Sequence, residues 1–175
     1  AMQGRLDFTE SFKKRVSILK GVNTSAFESV YNNSLKLSPG AKELISFFKS
    51  ISIKSAIISG GLSYFAERLH NSLGVDTYRA NNVEVINNSL TGAVVGKVID
   101  ANEKANYIDE LCALYQLKRE QVIAIGDGAN DLEMMKIAGV SVAYHAKPLL
   151  QKNCDVIINY GGLDSVIDFF EEDGY

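Results

Sequence analysis

The spacing of the apolar positions changes near residue 53. Before it, apolar residues recur every three or four positions, which is typical of amphipathic helices. This spacing predicts one helix over roughly residues 9–20 and a short one through residues 26–31. Ser38 and Pro39 predict the start of a third, because serine caps helices and proline fits the first helical position. We therefore expect residues 1–37 to form a small helical segment.

After residue 53, short β-branched runs alternate with helical stretches. Strands are predicted at residues 53–58, 122–125, 140–144 and 156–158, and a closing helix at 163–170. Such alternation predicts an α/β domain whose parallel sheet carries helices on both faces. Residues 83–99 read as an inserted β-hairpin, since strand-like residues flank Asn87 and Asn88. The α/β core is predicted over residues 38–175.

Composition narrows the class of protein. The 175 residues carry a net charge of −3, which argues against a broad nucleic-acid-binding face. We see no stretch long enough to span a membrane and no targeting leader, so we expect a cytoplasmic protein. Two cysteines and two histidines are too few for a disulfide scaffold or a zinc cluster, and they favour a reducing compartment.

Candidate chemistry concentrates after the strand at 122–125, in the sequence Gly-Asp-Gly-Ala-Asn-Asp. Asp127 comes at the carboxyl end of that strand, where parallel α/β sheets bind ligands. Asp127, Asn130 and Asp131 together offer oxygen ligands, which suit Mg²⁺ better than zinc. The alternative is that the acids only satisfy the amides and dipole at a helix start, and for Asp131 alone the two readings are equally good.

Two segments partly resemble known phosphate-binding motifs, but each lacks residues that the motif requires. The residues from Gly126 resemble the start of a dinucleotide fingerprint, but Asp131 stands where the third glycine belongs. Residues 92–97 resemble a P-loop only loosely, because the glycine spacing is one residue short and no serine or threonine follows Lys97. Neither motif supports nucleotide binding.

Four other sites are polar but carry weaker signals. Ser59-Gly60-Gly61 ends a predicted strand and either cradles an anion or forms a plain tight turn. Lys104 lies in the first turn of a predicted helix, the unfavourable end for a cation. Arg15, beside Lys13 and Lys14, reads by itself as part of a solvated basic face. His145 reads as structural.

These residues resemble motifs II, III and IV of the haloacid dehalogenase superfamily in order and spacing. The residues that carry the resemblance are Ser59-Gly60-Gly61, Lys104 and the sequence from Gly126 to Asp131. The resemblance is strongest to the phosphoserine phosphatases and extends along nearly the whole chain, including residues 1–8, 15–21, 90–92 and 145–148.

The resemblance implies a chemistry. Family members attack a phosphate with an aspartate, form an aspartyl-phosphate and hydrolyse it, with Mg²⁺ stabilising the transferred group. By position, Ser59 and Gly60 would bind phosphate, and Lys104 would be a catalytic residue that neutralises phosphate and nucleophile. The remaining implied roles are Mg²⁺ ligation by Asp127 with support from Asn130 and Asp131, substrate carboxylate binding by Arg15, and a pocket lined by Met2 and Phe8.

One family motif has no counterpart in the sequence. The Asp-x-Asp-x-Thr/Ser motif, which supplies the nucleophile and the acid/base, is expected upstream of residue 1, on the central strand of the sheet. Without that strand, two half-sheets would carry unpaired backbone groups. We therefore expect an intertwined homo-oligomer, a strand borrowed from a partner, or marginal stability.

Three functions remain open from the sequence. The first is a phosphoserine phosphatase that hydrolyses L-phosphoserine to serine and phosphate, the last step of serine biosynthesis. The second is a catalytically inactive remnant with a binding or regulatory role. The third is a related phosphatase for another small phosphomonoester. In each case we expect a small phosphorylated metabolite as the ligand and no nucleic acid or membrane partner.

Overall fold

The computed structural model describes residues 3–171 of the chain, with side chains over residues 8–170. The described residues divide into two units. The first contains the described residues up to Lys36 together with Ala56–Asp100, and the second contains Leu37–Ser55 together with the described residues from Ala101 onward. A helical segment that ends at residue 37, with a core over 38–175, stays a prediction.

The main elements alternate as expected for an α/β protein, which confirms that fold class. In chain order they are α1 (Gln3–Ile18), α2 (Ser25–Ser34), α3 (Ala41–Ser50), β1 (Ala56–Leu62), α4 (Ser63–Leu73), β2 (Thr77–Ile86), β3 (Ser89–Val95), α5 (Ala101–Tyr115), β4 (Ile123–Gly126), α6 (Leu132–Ile137), β5 (Val140–Tyr144), α7 (Pro148–Gln151), β6 (Val156–Ile158) and α8 (Asp168–Glu171). In the part of the chain that the structure describes, no helix is both long and apolar enough to cross a bilayer.

The first unit contains a three-stranded sheet in the order β1-β2-β3. Strand β1 pairs in parallel with β2, and β2 pairs antiparallel with β3. The two-residue turn between β2 and β3 has Asn87 at φ 51° and Asn88 at φ 59°. Two consecutive left-handed residues match the twist of a hairpin, and asparagine tolerates that conformation. The predicted hairpin is confirmed.

Helix α1 supplies one side of the core of the first unit. Its residues Phe12 and Val16 are buried together with Val98, and Phe8 packs against this cluster. The helix begins at Gln3, six residues before its predicted start, because the apolar spacing used for the prediction marks only the buried turns. It ends at Ile18, two residues before the predicted end at residue 20.

The second unit contains an all-parallel sheet in the order β4-β5-β6. Strands β5 and β6 lie where they were predicted. The core of this unit combines strand residues with side chains from α3 and the C-terminal segment, and its buried members are Leu44, Phe48, Val142, Ile158 and Val166.

The predicted start of α3 is wrong. The helix begins at Ala41, after Gly40 with φ 74°, and Ser38 is not its cap. Instead, the Ser38 carbonyl accepts the Ala41 N–H in a turn, and the Pro39 carbonyl accepts the Leu163 N–H at 2.7 Å. A local serine-proline signal was overridden by this longer-range backbone bond.

The predicted closing helix at 163–170 is only partly present. Leu163–Val166 form a 3-10 turn, and the four-residue α8 follows it. The Ile167 N–H bonds the Asp164 carbonyl three residues back, which is the tighter 3-10 pattern.

Candidate active site

The loop after β4 carries the acidic residues that the sequence singled out. Strand β4 runs from Ile123 to Gly126, so Asp127 directly follows its carboxyl end. A 3-10 turn over Ala129–Asp131 then leads into α6. The carboxyl end of a parallel strand is where α/β proteins place ligands, so the position predicted for Asp127 is confirmed.

Asp131 is buried and fully hydrogen-bonded. Its Oδ1 lies 2.6 Å from Lys104 Nζ, and the side chains of the pair are only 4% and 6% exposed. Its Oδ2 accepts the backbone N–H groups of Asp127 and Gly128, each at 3.1 Å. Asn130 Nδ2 donates to Oδ1 at 3.3 Å. Asp131 therefore fixes the path of the loop.

The two aspartates therefore differ in how readily their carboxylates can bind a metal ion. Both oxygens of Asp131 are engaged, so a direct metal bond would cost the ion pair or two backbone hydrogen bonds. Asp127 is exposed. Its backbone makes the hydrogen bonds that hold it in the loop: the N–H donates to the Asp131 carboxylate, and the carbonyl accepts the Lys147 N–H at 3.1 Å. The loop holds the backbone of Asp127 and presents its carboxylate.

Gly126 makes this geometry sterically possible. A Cβ atom at Gly126 would lie 2.7 Å from both Cβ and Oδ2 of Asp131. Those atoms belong to a short, anchored side chain, which cannot move away without breaking its hydrogen bonds. The glycine is therefore required by close approach, since its backbone does not have a positive φ.

Lys104 is the fourth residue of α5 and is buried, as few lysines are. The helix dipole disfavours a cation at this end, and burial removes water from the ammonium. The 2.6 Å contact with Asp131 compensates for both effects. The sequence indicated that this lysine was unfavourably placed, and the structure supplies the partner that the sequence did not identify.

The serine-glycine motif lies inside a strand, which corrects the prediction that it follows one. Strand β1 runs from Ala56 to Leu62 and includes Ser59, Gly60 and Gly61. Its pairing with β2 shifts between Ile58 and Leu62, so the strand is irregular at the motif. Ser59 Oγ accepts the Gly61 N–H at 3.0 Å, so this amide is already used within the motif.

Sequence analysis missed Asn81, a buried residue of β2 that braces this motif. Asn81 is 1% exposed, donates through Nδ2 to the Gly60 carbonyl at 2.9 Å, and accepts the Ile99 N–H through Oδ1 at 2.7 Å. The available signal was a pair of asparagines inside an otherwise strand-like run, because buried strand positions rarely hold an amide without a hydrogen-bonding purpose.

The substrate-side residues of the prediction fall in the first unit. Phe8 stacks on Phe12 with 6.4 Å between ring centroids, and its Cζ lies 3.1 Å from where a Cβ of Gly60 would stand. Arg15 is exposed, with its guanidinium 5.9 Å from the centre of the Phe12 ring and its Nε 3.4 Å from the Ser11 carbonyl oxygen. Met2 lies outside the described residues.

The donor set suits a hard cation without completing a site for one. Asp127 offers an exposed carboxylate, and exposed Asn130 offers an amide oxygen, which are ligands that Mg²⁺ accepts. Among the described residues, no group of three or more histidine, cysteine or acidic side chains is placed to hold a metal. A metal here would therefore take further ligands from water or from a bound phosphate, as Mg²⁺ commonly does.

Comparison with known proteins identifies the family of the chain. Residues 1–136 match the haloacid dehalogenase-like hydrolase family. The chain is 42% identical to a phosphoserine phosphatase of Polaromonas sp., over 96% of this chain and 73% of that protein. It is 41% identical to a phosphoserine phosphatase of Archaeoglobus fulgidus, covering 95% of this chain but 49% of that protein.

The chain is also similar in fold to solved structures. A probable phosphoserine phosphatase from Vibrio cholerae, in its unliganded form, superposes with a TM-score of 0.91 at 38% identity, covering 98% of this chain. This chain spans only 53% of that protein. A phosphoserine phosphatase solved as a phospho-aspartyl intermediate analogue gives a TM-score of 0.88 at 33% identity, covering 97% of this chain and 80% of that one.

The chain therefore belongs to the haloacid dehalogenase-like hydrolase family. The relatives described above are named phosphoserine phosphatases, and they indicate a phosphoric monoester hydrolase. Phosphatases of this family are generally metal-dependent, which fits the hard-oxygen donors of the loop after β4.

Proposed function

We propose that this protein is a Mg²⁺-dependent phosphoserine phosphatase that converts L-phosphoserine to serine and phosphate, the last step of serine biosynthesis. The observation that carries the proposal is the buried Lys104–Asp131 pair, which fixes the loop while Asp127 stays exposed. Relatives that carry this name cover the chain at about 40% identity. Mg²⁺ would neutralise charge on the transferred phosphoryl group.

The chain's own residues take separate roles in this reaction. Ser59 and Gly60 bind the phosphate, and Lys104 is the catalytic cation that balances its charge. Asp127 ligates the metal, with Asn130 and Asp131 supporting the metal and phosphate site. Arg15 pairs with the substrate carboxylate, and Met2 and Phe8 line its pocket.

We also propose that the nucleophilic aspartate comes from outside these 175 residues. The sequence contains no Asp-x-Asp pair, which the family uses as nucleophile and acid/base. Strands β1 and β4, which in the described residues are edge strands of their sheets, are the places where a strand carrying that aspartate would add. The donor of the aspartate would be another segment or a strand-donating partner chain of different sequence. An intertwined homo-oligomer of these 175 residues would cover the strand edges but would not supply the aspartate. We place the protein in the cytoplasm, since Cys112 and Cys154 are both free thiols.

Ligand binding tests the substrate. We expect L-phosphoserine to bind in calorimetry, and Arg15→Ala to weaken that binding about tenfold, the loss of one charge-assisted pair. Phosphoethanolamine, which lacks the carboxylate, should bind equally to both forms. Equal losses for the two ligands would remove the role of Arg15, and no phosphoserine binding would contradict the proposed substrate.

Phosphate release tests the nucleophile. We expect the 175-residue chain by itself to release phosphate from L-phosphoserine at the background rate, with Mg²⁺ or with chelator. Metal-dependent release that Asp127→Asn abolishes would support the phosphatase and contradict an outside nucleophile. Metal-dependent release that favours a different phosphomonoester would point to a related phosphatase. Phosphoserine binding without release, even after the missing strand is supplied, would indicate the inactive binding protein instead.

A further inference from the structure

The loop after β5 contains a histidine with an unusual backbone. His145 has φ 45°, although the left-handed region is unfavourable for residues with a side chain. The conformation costs on the order of 1 kcal/mol, so neighbouring contacts must hold it. Strain of this kind clusters at functional sites.

Three contacts hold His145. Its N–H donates to the Ile158 carbonyl at 2.8 Å, its ring stands edge-on to Tyr144 at 4.5 Å, and its Nε2 lies 3.0 Å from the Gly161 carbonyl oxygen. A carbonyl can only accept, so the ring carries its proton on Nε2 and donates it to Gly161. The side chain thus links the loop after β5 to the loop after β6.

The same loop is bonded to the candidate metal loop. Two residues after His145, the Lys147 N–H donates to the Asp127 carbonyl at 3.1 Å. Ala146, between the two, is 8% exposed and cannot shift freely. Any displacement of His145 is therefore passed to the Lys147 amide and on to the backbone of Asp127.

We propose that His145 is a positioning residue for Asp127. Its ring ties the loop after β5 to Gly161 and so holds the Lys147 amide on the Asp127 carbonyl, which orients the Asp127 carboxylate for a divalent cation. This inference rests on the proposed metal role of Asp127. It gives His145 a purpose beyond packing, and it requires no change in the protonation of the ring.

Two substitutions separate the ring's hydrogen bond from the backbone conformation. His145→Asn tolerates a left-handed backbone, but its amide is too short to reach Gly161. His145→Gln places an amide N–H about where the imidazole Nε2–H stands. Tyr160→Ser is the matched control, because Tyr160 lies in the same loop as Gly161 with a side chain that is 90% exposed. Urea unfolding establishes that each variant folds.

The measurements are the Mg²⁺ dissociation constant by calorimetry and the exchange rate of the Lys147 amide by NMR. We expect His145→Asn to weaken Mg²⁺ binding about tenfold, the lower end of the range for residues behind a metal ligand. Lys147 exchange should accelerate in the same variant. His145→Gln and Tyr160→Ser should match the unsubstituted chain in both readouts.

The contrary outcomes separate this inference from the function on which it rests. Equal Mg²⁺ affinity in His145→Asn and the unsubstituted chain would overturn the positioning role alone. Weaker binding with unchanged Lys147 exchange would also overturn it, because the proposed path runs through that amide. Failure of the unsubstituted chain to bind Mg²⁺ would overturn the metal role of Asp127 and this inference together.

Discussion

Asp127 and Asp131 are four positions apart in one loop, but their carboxylates have different surroundings and different roles. Asp131 takes four hydrogen bonds, one of them from the buried ammonium of Lys104, and Asp127 keeps an exposed carboxylate. A carboxylate saturated by the protein organises its surroundings, whereas an unsaturated one is available to a ligand. The sequence left two readings of Asp131 open, a metal ligand or an acceptor of backbone amides at a helix start, and the observed hydrogen bonds match the second.

Removing one partner of the buried pair should be costly. We expect Lys104→Met to lower the free energy of unfolding by about 3 kcal/mol, because it leaves the Asp131 carboxylate buried without a cation. Urea unfolding measures the loss. The double variant Lys104→Met with Asp131→Asn should recover more than half of it. Additive losses in the double variant would show that the two side chains are not energetically coupled.

Asp155 should contribute to the pH dependence of stability. The Ser141 hydroxyl, and then the Ser141 N–H, donate to Asp155 Oδ2 at 2.6 and 2.9 Å and lower the pKa of this carboxyl. A lowered folded-state pKa stabilises the protein above the unfolded-state value of about 3.9, and that stabilisation is lost as the pH falls through the folded-state pKa.

The test for Asp155 is a series of urea unfolding curves at pH values from about 6 down to about 3. Asp155→Asn removes the titrating group, so the free energy of unfolding of this variant should fall less steeply with acid than that of the unsubstituted chain. Parallel pH dependences for the two proteins would contradict the assigned cause.

Among the elements, those fixed by local chemistry were predictable. The hairpin followed from Asn87-Asn88, and β5 and β6 followed from short β-branched runs. The start of α3 was mispredicted because its decisive contact, Pro39 with Leu163, lies far away in sequence. Ser59-Gly60-Gly61 was placed after β1 for a similar reason, since buried Asn81 of a later strand braces Gly60 within the strand. Spacing within one segment does not reveal such partners.

The hairpin turn offers a test at Asn88, which has φ 59°. Asn88→Val should lower the free energy of unfolding by about 1–2 kcal/mol, because a β-branched side chain is strained in the left-handed region. Asn88→Gly, which adopts that region freely, should leave stability unchanged or slightly raised. Thermal unfolding followed by circular dichroism compares the two. Equal effects of valine and glycine would contradict the turn conformation.

At the scale of the whole molecule, each of the two sheets has an edge strand to which a further strand could pair. Strand β1 is at one edge of its sheet and β4 is at one edge of the other in the described residues, and exposed edges pair readily with further strands. Unpaired strand edges were predicted from the sequence, because it has no counterpart of the Asp-x-Asp-x-Thr/Ser motif that the family carries on its central strand. The comparisons establish the family, and an additional strand at these edges stays a proposal.

Self-association should follow if copies of this chain satisfy each other's edges. We expect light scattering after size-exclusion chromatography to give a mass above 19.1 kDa that rises with protein concentration. A partner that supplies a strand should abolish this dependence. A well-folded monomer at all concentrations, with amide exchange showing protected β1 and β4, would contradict open edges.

The central claim is that the loop after β4 presents Asp127 to a divalent cation, and Mg²⁺ calorimetry tests it most directly. Asp127→Asn removes the proposed ligand, while Asp168→Asn, which removes an exposed acid in α8, is the matched control for charge. We predict that the unsubstituted chain and Asp168→Asn bind Mg²⁺ with the same affinity and that Asp127→Asn loses binding. Equal binding by all three proteins, or binding by none, would contradict the account.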